Sequence, residues 1–162
     1  MGREVDMFLY LDGVEGESAD TEYKEYMELL GWGWGLSNTG SFHTATGGGT
    51  GKGVCYDIAV TKLVDKATPL LALACMSGQH ISHGTLVCRR AGGKQVPYLT
   101  ITVQNVLVSR YQTGAKSESA TQSEAFSLNF AQYMMEYYPQ SAQGSSSGSV
   151  DGGWNIPANT KV

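Results

Sequence analysis

Residues Tyr98–Tyr111 read YLTITVQNVLVSRY and alternate their side chains with a period of two. A period of two is typical of a β-strand that buries one face, so this stretch predicts a long strand. Pro97 stands directly before it, where a strand tolerates a missing amide. One face carries Leu99, Ile101, Val103, Asn105 and Leu107, and the other carries Thr100, Thr102, Gln104 and Val106.

Similar patterns on both sides of this stretch predict a mostly β protein. Val5–Leu11 alternates in the same way, and the turn signal Asp12-Gly13 follows it. Ala91–Lys94, AGGK, marks a hairpin turn between two strands. About six strands in total favour a small barrel or a sandwich. The further strands are predicted at Tyr26–Phe42, Val54–Leu63, Thr85–Arg90 and Glu124–Tyr138.

One short helix is predicted after residue 67. Thr68 is a good N-cap, Pro69 suits the first helical position, and Gly78 suits the C-terminal cap. The residues between them, LLALACMS, are apolar nearly all round. A helix of that composition is expected to be largely buried.

Size and charge limit the classes of function. A chain of 162 residues predicts one domain with a real core. The formal net charge of −4 argues against general nucleic-acid binding, which needs a basic surface. No apolar run approaches the length of a membrane span, so we expect no membrane insertion. The N-terminus MGREVDMFLYLDG has no signal-peptide pattern, which predicts synthesis in the cytoplasm as a soluble chain.

Two glycine-rich segments predict extended or mobile regions. Gly40–Gly53 contains TGGGTGKG, which resembles a phosphate-binding loop. Thr46 stands where that motif needs glycine, and Gly53 stands where it needs a hydroxyl for Mg²⁺. An extended loop is therefore the better interpretation. A mobile Gly/Ser tail is predicted over residues 140–153, ahead of a short hydrophobic anchor at Trp154–Ile156.

The stretch GWGWG places glycines and tryptophans on opposite faces of a predicted strand. A strand face without side chains leaves room for close packing by a helix or by a neighbouring subunit, although a bend in a barrel wall is the simpler interpretation. The residues are Gly31, Trp32, Gly33, Trp34 and Gly35.

The main candidate for a chemically active site is a metal site. Cys75, His80, His83 and Cys88 follow the spacing C-x4-H-x2-H-x4-C, and thiols with imidazoles can bind zinc tetrahedrally. The spacing matches no common zinc module, and small buried thiols are ordinary core residues. We therefore predict no metal, no cofactor and no catalytic residues.

Several stretches in order resemble the haemolysin-coregulated protein (Hcp) family of bacterial type VI secretion systems. They cover nearly the whole chain, and their number and order make the match specific. They are VDMFLYLDGVEGES (5–18), LLGWGWGLSNTGSFH (29–43), TKLVDKATPLLALACMSGQH (61–80), CRRAGG (88–93), YLTITVQNVLVS (98–109), LNFAQ (128–132) and GWNI (153–156).

The resemblance implies a small β-barrel of two antiparallel sheets flanked by one helix, assembling into a hexameric ring. Such rings stack into the inner tube of the secretion machine, which a contractile sheath propels with a spike protein at its tip. The expected partners are therefore other copies, spike, sheath and baseplate proteins, and small effector proteins bound in the lumen. Secretion proceeds through the type VI system without a signal peptide, in the service of virulence or bacterial competition.

The resemblance also implies roles for two loops. The extended loop of the family contributes to contacts between rings, and Gly40–Gly53 matches it by position. The loop after Tyr111 carries Lys116, where small residues are more usual in the family, so cargo preference is not carried over. The expected stacking residues are Gly47, Gly48, Gly49, Thr50, Gly51 and Lys52, and the expected lumen residues are Gly114, Ala115 and Lys116.

Three hypotheses about function follow. The first is a structural tube subunit that also protects secreted effectors. The second is a zinc-dependent hydrolase built on the two cysteines and two histidines. The third is a monomeric binding module with a ligand pocket in the barrel.

Overall fold

The computed structural model describes residues 2–40, 42–43, 50–140 and 148–162, and there it contains eleven antiparallel strands and one helix. The predicted mostly β fold with a single short helix is confirmed. The elements are β1 (Val5–Leu11), β2 (Met27–Glu28), β3 (Gly31–Gly33), β4 (Leu36–Gly40), β5 (Thr50–Cys55), β6 (Ile58–Leu63), α1 (Thr68–Ser77), β7 (Ile81–Arg90), β8 (Pro97–Thr113), β9 (Ser123–Tyr137), β10 (Val150–Asn155) and β11 (Thr160–Lys161).

Nine strands form one curled sheet that closes into a barrel. The strands follow the order β11-β10-β9-β8-β7-β1-β2, and β6 pairs with β9 and with β3. The short segment from β2 to β3 closes the sheet, because Leu29 N donates to Met7 O and Leu30 N donates to Thr61 O. The remaining two strands, β4 and β5, pair only with each other as a separate hairpin. The structure thus has two antiparallel sheets of unequal size.

Apolar side chains fill the interior of this closed sheet. They come from strands on all sides and pack as one cluster of buried residues. Burial of this kind is the main favourable term in folding. The cluster includes Leu9, Val60, Leu86, Ile101, Val103, Phe126 and Leu128.

The long strand β8 begins at Pro97 as predicted, but its alternation changes phase within the strand. Ile101 and Val103 point into the core, and Asn105 is exposed with a positive φ of 54°. Val106 and Val108 are then buried, whereas the sequence pattern placed Leu107 with the inward side chains. Asparagine tolerates this left-handed conformation better than most residues, and one such residue exchanges the two faces.

Two strands predicted as continuous are interrupted. The predicted strand Tyr26–Phe42 divides into β2, β3 and β4, and the predicted strand Val54–Leu63 divides into β5 and β6. The physical reason is a change of partner, because β3 and β6 pair within the closed sheet while β4 and β5 leave it as a hairpin. The strand predicted at Thr85–Arg90 begins earlier, at Ile81, so His83 lies within β7.

The helix α1 occupies the predicted place, but its burial was predicted wrongly. Ala67 and not Thr68 is the N-cap, and Gly78 ends the helix with a left-handed φ of 66°. Only Leu71 and Ala74 are fully buried. The helix lies against the barrel along one side, so its apolar residues on the other side stay exposed. They are Leu70, Leu73 and Met76.

The segment between β1 and β2 is held to the sheet by one buried arginine. Arg89, 2% exposed, contacts Asp6 at 3.2 Å and also pairs with Asp20 of this segment. Its guanidinium lies 5.0 Å from the Phe8 ring centre and 5.3 Å from that of Tyr23. A buried charge is tolerated when it is paired and hydrogen-bonded in this way.

The Gly/Ser tail predicted over residues 140–153 lies partly outside the described residues. Residues 141–147 lie outside the described part of the chain, and Val150–Gly153 belong to β10, which pairs with β9. The anchor is confirmed at Ile156, which packs against the core. Among the described residues, no helix combines the length and the apolar character that crossing a membrane requires.

Candidate assembly surfaces

The hairpin β4–β5 carries part of the predicted stacking loop. Every residue of β4 is exposed. Thr50, Gly51 and Lys52 belong to β5, and Gly47, Gly48 and Gly49 lie outside the described residues. Gly51 runs close to β4, because a Cβ there would lie 2.9 Å from Thr39 O. This close backbone approach requires glycine.

A cavity of about 420 Å³ lies between this hairpin and the strands β9 and β10 of the barrel. Its lining is mainly apolar, and Lys52 contributes its one charged side chain. Burial raises the pKa of the Cys55 thiol, which makes this cysteine a poor nucleophile at neutral pH. The lining includes Leu36, Val54, Cys55, Tyr133, Trp154 and Ile156.

The glycine–tryptophan segment has one packed face and one open face. Trp34 Nε1 donates to Tyr56 O at 2.9 Å, and the Trp34 ring centre lies 4.8 Å from that of Tyr133. Trp32 also packs against the core. On the opposite face, a Cβ placed on Gly31 or Gly33 would find no atom within 4 Å. The described residues of the single chain therefore leave this glycine face uncovered.

The loop predicted to border the lumen is fully exposed. Gly114, Ala115 and Lys116 follow β8, and Ser119 N donates to Lys116 O to form a turn. The loop connects β8 to β9 next to the pair Thr113–Glu124, at the end of the two strands that lies opposite Leu99 and Tyr137.

The four candidate zinc ligands do not converge. Cys75 packs from α1 against the core, and Cys88 is buried in β7, where burial raises its pKa. His80 and His83 are exposed, and the Ser82 hydroxyl lies 2.8 Å from His83 Nδ1. Across residues 2–40, 42–43, 50–140 and 148–162, no three His, Cys, Asp or Glu side chains form a metal-binding group.

The exposed apolar side of α1 was missed because composition alone could not show which side faces water. Leu73 is 59% exposed and Met76 is 88% exposed. No charged residue occurs in the helix. The only signal in the sequence was that a ten-residue helix beside a small barrel cannot be covered on all sides. Exposed apolar residues that cluster on one side of an element are typical of surfaces that contact another protein.

Comparisons with known proteins agree on one family. Residues 8–137 match the sequence model of the family described as "Type VI secretion system effector, Hcp". The chain is 45% identical to Protein hcp1 of Pseudomonas aeruginosa over 160 residues, which cover 98% of this chain and 99% of that protein.

Solved structures extend the agreement to the backbone. A structure described as that of a type six secretion system protein superposes with a TM-score of 0.92 at 32% identity, covering 97% of this chain and 99% of the other. Hcp1 from Salmonella typhimurium superposes with a TM-score of 0.83 at 28% identity, covering 99% of this chain and all of that one. The chain therefore belongs to the Hcp family of type VI secretion system proteins.

Proposed function

We propose that this chain is the subunit of the inner tube of a type VI secretion system and that it forms hexameric rings that stack. The observation that carries the proposal is the match to Protein hcp1 across 99% of that protein's length, at 45% identity. The barrel, the helix and the hairpin are all included in the structural match at a TM-score of 0.92.

Exposed apolar residues on two different surfaces support a ring. A ring needs a heterologous interface, in which one surface of a copy contacts a different surface of the next. The apolar side of α1 (Leu70, Leu73 and Met76) is one such surface, and the hairpin with Leu36 and Val54, each 51% exposed, is another. The open glycine face at Gly31 and Gly33 allows close approach of a neighbouring backbone.

Stacking of the rings is assigned to the hairpin and the loop that it carries. A two-stranded sheet is marginally stable alone, so β4 and β5 gain most from a partner that covers them. In this proposal Thr50, Gly51 and Lys52, together with Gly47–Gly49, contact the next ring. The loop Gly114–Lys116 borders the lumen, where small effector proteins are bound and protected.

The remaining parts of the proposal are those expected of a tube subunit. The tube contacts spike, sheath and baseplate proteins, has no enzymatic role, and needs no cofactor. The protein is made in the cytoplasm and leaves through the machine that it forms. The third hypothesis gains little support, because core side chains such as Val103 and Phe126 fill the barrel and the cavity lies outside it.

Secretion of the spike protein tests this proposal. A tube subunit is required for every export event, so deletion of its coding sequence should abolish the spike protein from the medium, and the intact sequence should restore it. A dispensable effector would leave spike export unchanged. Normal spike export from the deletion strain, with no second copy of the gene present, would contradict the proposal.

A further inference from the structure

A buried ionic cluster joins the start of α1 to three strands of the barrel. Lys62 on β6 and Glu124 on β9 are both fully buried, and Lys62 Nζ lies 2.5 Å from Glu124 Oε1. Lys62 Nζ also donates to Asp65 Oδ1 at 2.7 Å. The Tyr111 hydroxyl donates to Glu124 Oε2 at 2.6 Å, and the Thr68 hydroxyl donates to Glu124 Oε1 at 2.9 Å. These five residues are named the Lys62 network.

The Lys62 network also fixes the turn that leads into α1, where no side chain caps the first amides of the helix. Ala67, the N-cap residue, has no side chain that can accept a hydrogen bond. Asp65 Oδ1 instead accepts from Ala67 N at 2.9 Å, and Thr68 Oγ1 accepts from Asp65 N at 3.0 Å. Two carboxylates face one ammonium, so the cluster carries excess negative charge. The positive end of the helix dipole, which begins at Thr68, stabilises that charge.

The rest of α1 is weakly attached. Leu71 and Ala74 are its only fully buried residues, and Cys75 packs partly against the core. A helix of ten residues is marginal in water without tertiary contacts. Segments with few buried apolar contacts open locally at a lower free energy than the core does. The attachment of α1 therefore depends strongly on the Lys62 network.

We propose that the Lys62 network is a lock that holds α1 on the barrel, and that α1 detaches as a local unit when the network is broken. The barrel strands stay paired in the detached state, because α1 and its N-cap contribute only Ala67, Leu71 and Ala74 to the core cluster, and most of its other residues lie on the strands. The apolar side of α1 is presented in a fixed position only while the network is intact. This inference is independent of the proposed function.

The chain contains its own reporters for this detachment. Cys75 sits on the half-buried side of α1, so its thiol reacts with an alkylating reagent mainly when the helix opens. Cys88 is buried in β7 and reports opening of the barrel itself. Replacement of the third cysteine, Cys55→Ser, leaves only these two thiols. One then reports detachment of α1 and the other reports opening of the barrel.

The test compares hydrogen-bond deletions inside and outside the network. Tyr111→Phe and Thr68→Val each remove a hydroxyl that donates to Glu124 and keep the shape of the side chain. Tyr138→Phe is the matched control, because the Tyr138 hydroxyl donates to Glu136 at 2.5 Å on the same strand as Glu124, away from α1. All variants are made in the full-length Cys55→Ser protein and compared at one concentration, with equal assembly state checked by native mass spectrometry.

The expected result is selective. Loss of a hydrogen bond to a buried charge should raise the alkylation rate of Cys75 by about tenfold or more in Tyr111→Phe and in Thr68→Val. Cys75 should react faster than Cys88 in the parent and in every variant, and its rate should depend less on urea, because detachment of α1 exposes less surface than unfolding of the barrel does. Both rates in Tyr138→Phe should remain as in the parent. Equal rates and equal urea dependence at Cys75 and Cys88 would mean that the whole barrel opens and would overturn the proposal. Unchanged Cys75 rates in both network variants would overturn it as well.

Discussion

At the scale of single residues, buried charges decide how surface segments attach to this barrel. Arg89 and Arg90 are adjacent on β7 and point to opposite faces, which the alternation of the strand predicts. Arg89 is buried and ion-paired, whereas Arg90 is exposed. The partner Asp20 lies in an irregular segment, so no periodic pattern could have identified it.

The pairing of Asp20 makes an acid-sensitive contribution to stability. The hydrogen bond from Arg89 holds the pKa of the Asp20 carboxyl below its usual range, in spite of the opposite effect of burial. A lowered pKa in the folded state stabilises the fold above about pH 4, and this contribution is lost as the pH falls further. Asp20→Asn should cost about 1–3 kcal/mol at pH 7 and much less at pH 3.

Urea unfolding at the two pH values measures this difference. Glu17→Gln is the control, because it removes an exposed carboxylate from the same segment. A stability difference between Asp20→Asn and the parent that stays the same at pH 3 would show that the ion pair is not its source.

Tyr111 makes a contribution that is lost at alkaline pH. Burial, together with the hydrogen bond to Glu124, raises the pKa of Tyr111 to about 12. A raised pKa in the folded state stabilises the fold fully below about pH 10, and the contribution disappears as the pH rises towards 12. The parent should therefore exceed Tyr111→Phe in stability by about 1–3 kcal/mol at pH 8, and this advantage should shrink by pH 11.

Unfolding followed by tryptophan fluorescence at pH 8, 10 and 11 gives the comparison, and Tyr138→Phe again serves as the reference. An advantage over Tyr111→Phe that remains constant through pH 11 would argue against a protonated Tyr111 hydroxyl as the stabilising group.

At the scale of elements, the sequence predicted strands well where one partner lasts for the whole strand. β1 pairs with β7 and β9 pairs with β8 over nearly their whole length, and the predicted bounds of both strands agree with the structure to within one residue. The predictions for 26–42 and 54–63 failed because the side-chain alternation continues while the chain moves from the barrel to the hairpin. Hydrogen-bond partners change there, and an alternating pattern carries no information about the partner.

Two glycines of the hairpin, Gly51 and Gly53, should differ in whether they tolerate a side chain. A Cβ at Gly51 would lie 2.9 Å from Thr39 O, whereas a Cβ at Gly53 would meet only ordinary contacts at 3.9 Å or more. Gly51→Ala should therefore separate the ends of β4 and β5 around Thr39 and impair the stacking of rings. Single rings should still form, because Leu36 and Val54 lie at the other end of the hairpin, where β4 and β5 stay paired. Gly53→Ala should stack like the parent.

Electron microscopy of the two variants at equal concentration counts stacked and single rings. Removal of Gly47–Gly51 should have the same effect as Gly51→Ala, or a stronger one. Tubes of normal length from both the Gly51→Ala protein and the deletion would refute the assignment of stacking to the hairpin.

At the scale of the whole molecule, the single chain leaves apolar surface uncovered that a ring can bury. The sequence alone predicted the fold class and, through the family resemblance, the assembly. It could not predict the exposed side of α1, because an all-apolar helix has no polar face to mark the direction of solvent. It also could not predict the Lys62 network, since the alternation of β6 places a lysine inward beside Ile58 and Val60 as though it were apolar.

A charge on the apolar side of α1 should disrupt the ring. Leu73→Glu places a carboxylate where a neighbouring copy is expected, and burial of an unpaired charge is strongly unfavourable. The hexamer fraction should fall by about tenfold or more, as for central residues of other interfaces. The barrel should stay folded, because Leu73 is 59% exposed in the single chain.

Lys24→Glu changes charge at an exposed position outside both apolar surfaces and is the control for this variant. Size-exclusion chromatography with light scattering gives the hexamer fraction, and circular dichroism confirms the fold. Leu73→Glu protein that elutes as the parent does would exclude this side of α1 from the ring interface.

Native mass spectrometry of the full-length protein tests the central proposal most directly. Each chain has a mass of 17.4 kDa, and we expect a dominant species of six chains at micromolar concentration. Electron microscopy of the same sample should show rings with an open centre. A protein that remains entirely at 17.4 kDa as its concentration is raised would contradict the assignment of this chain as a tube subunit.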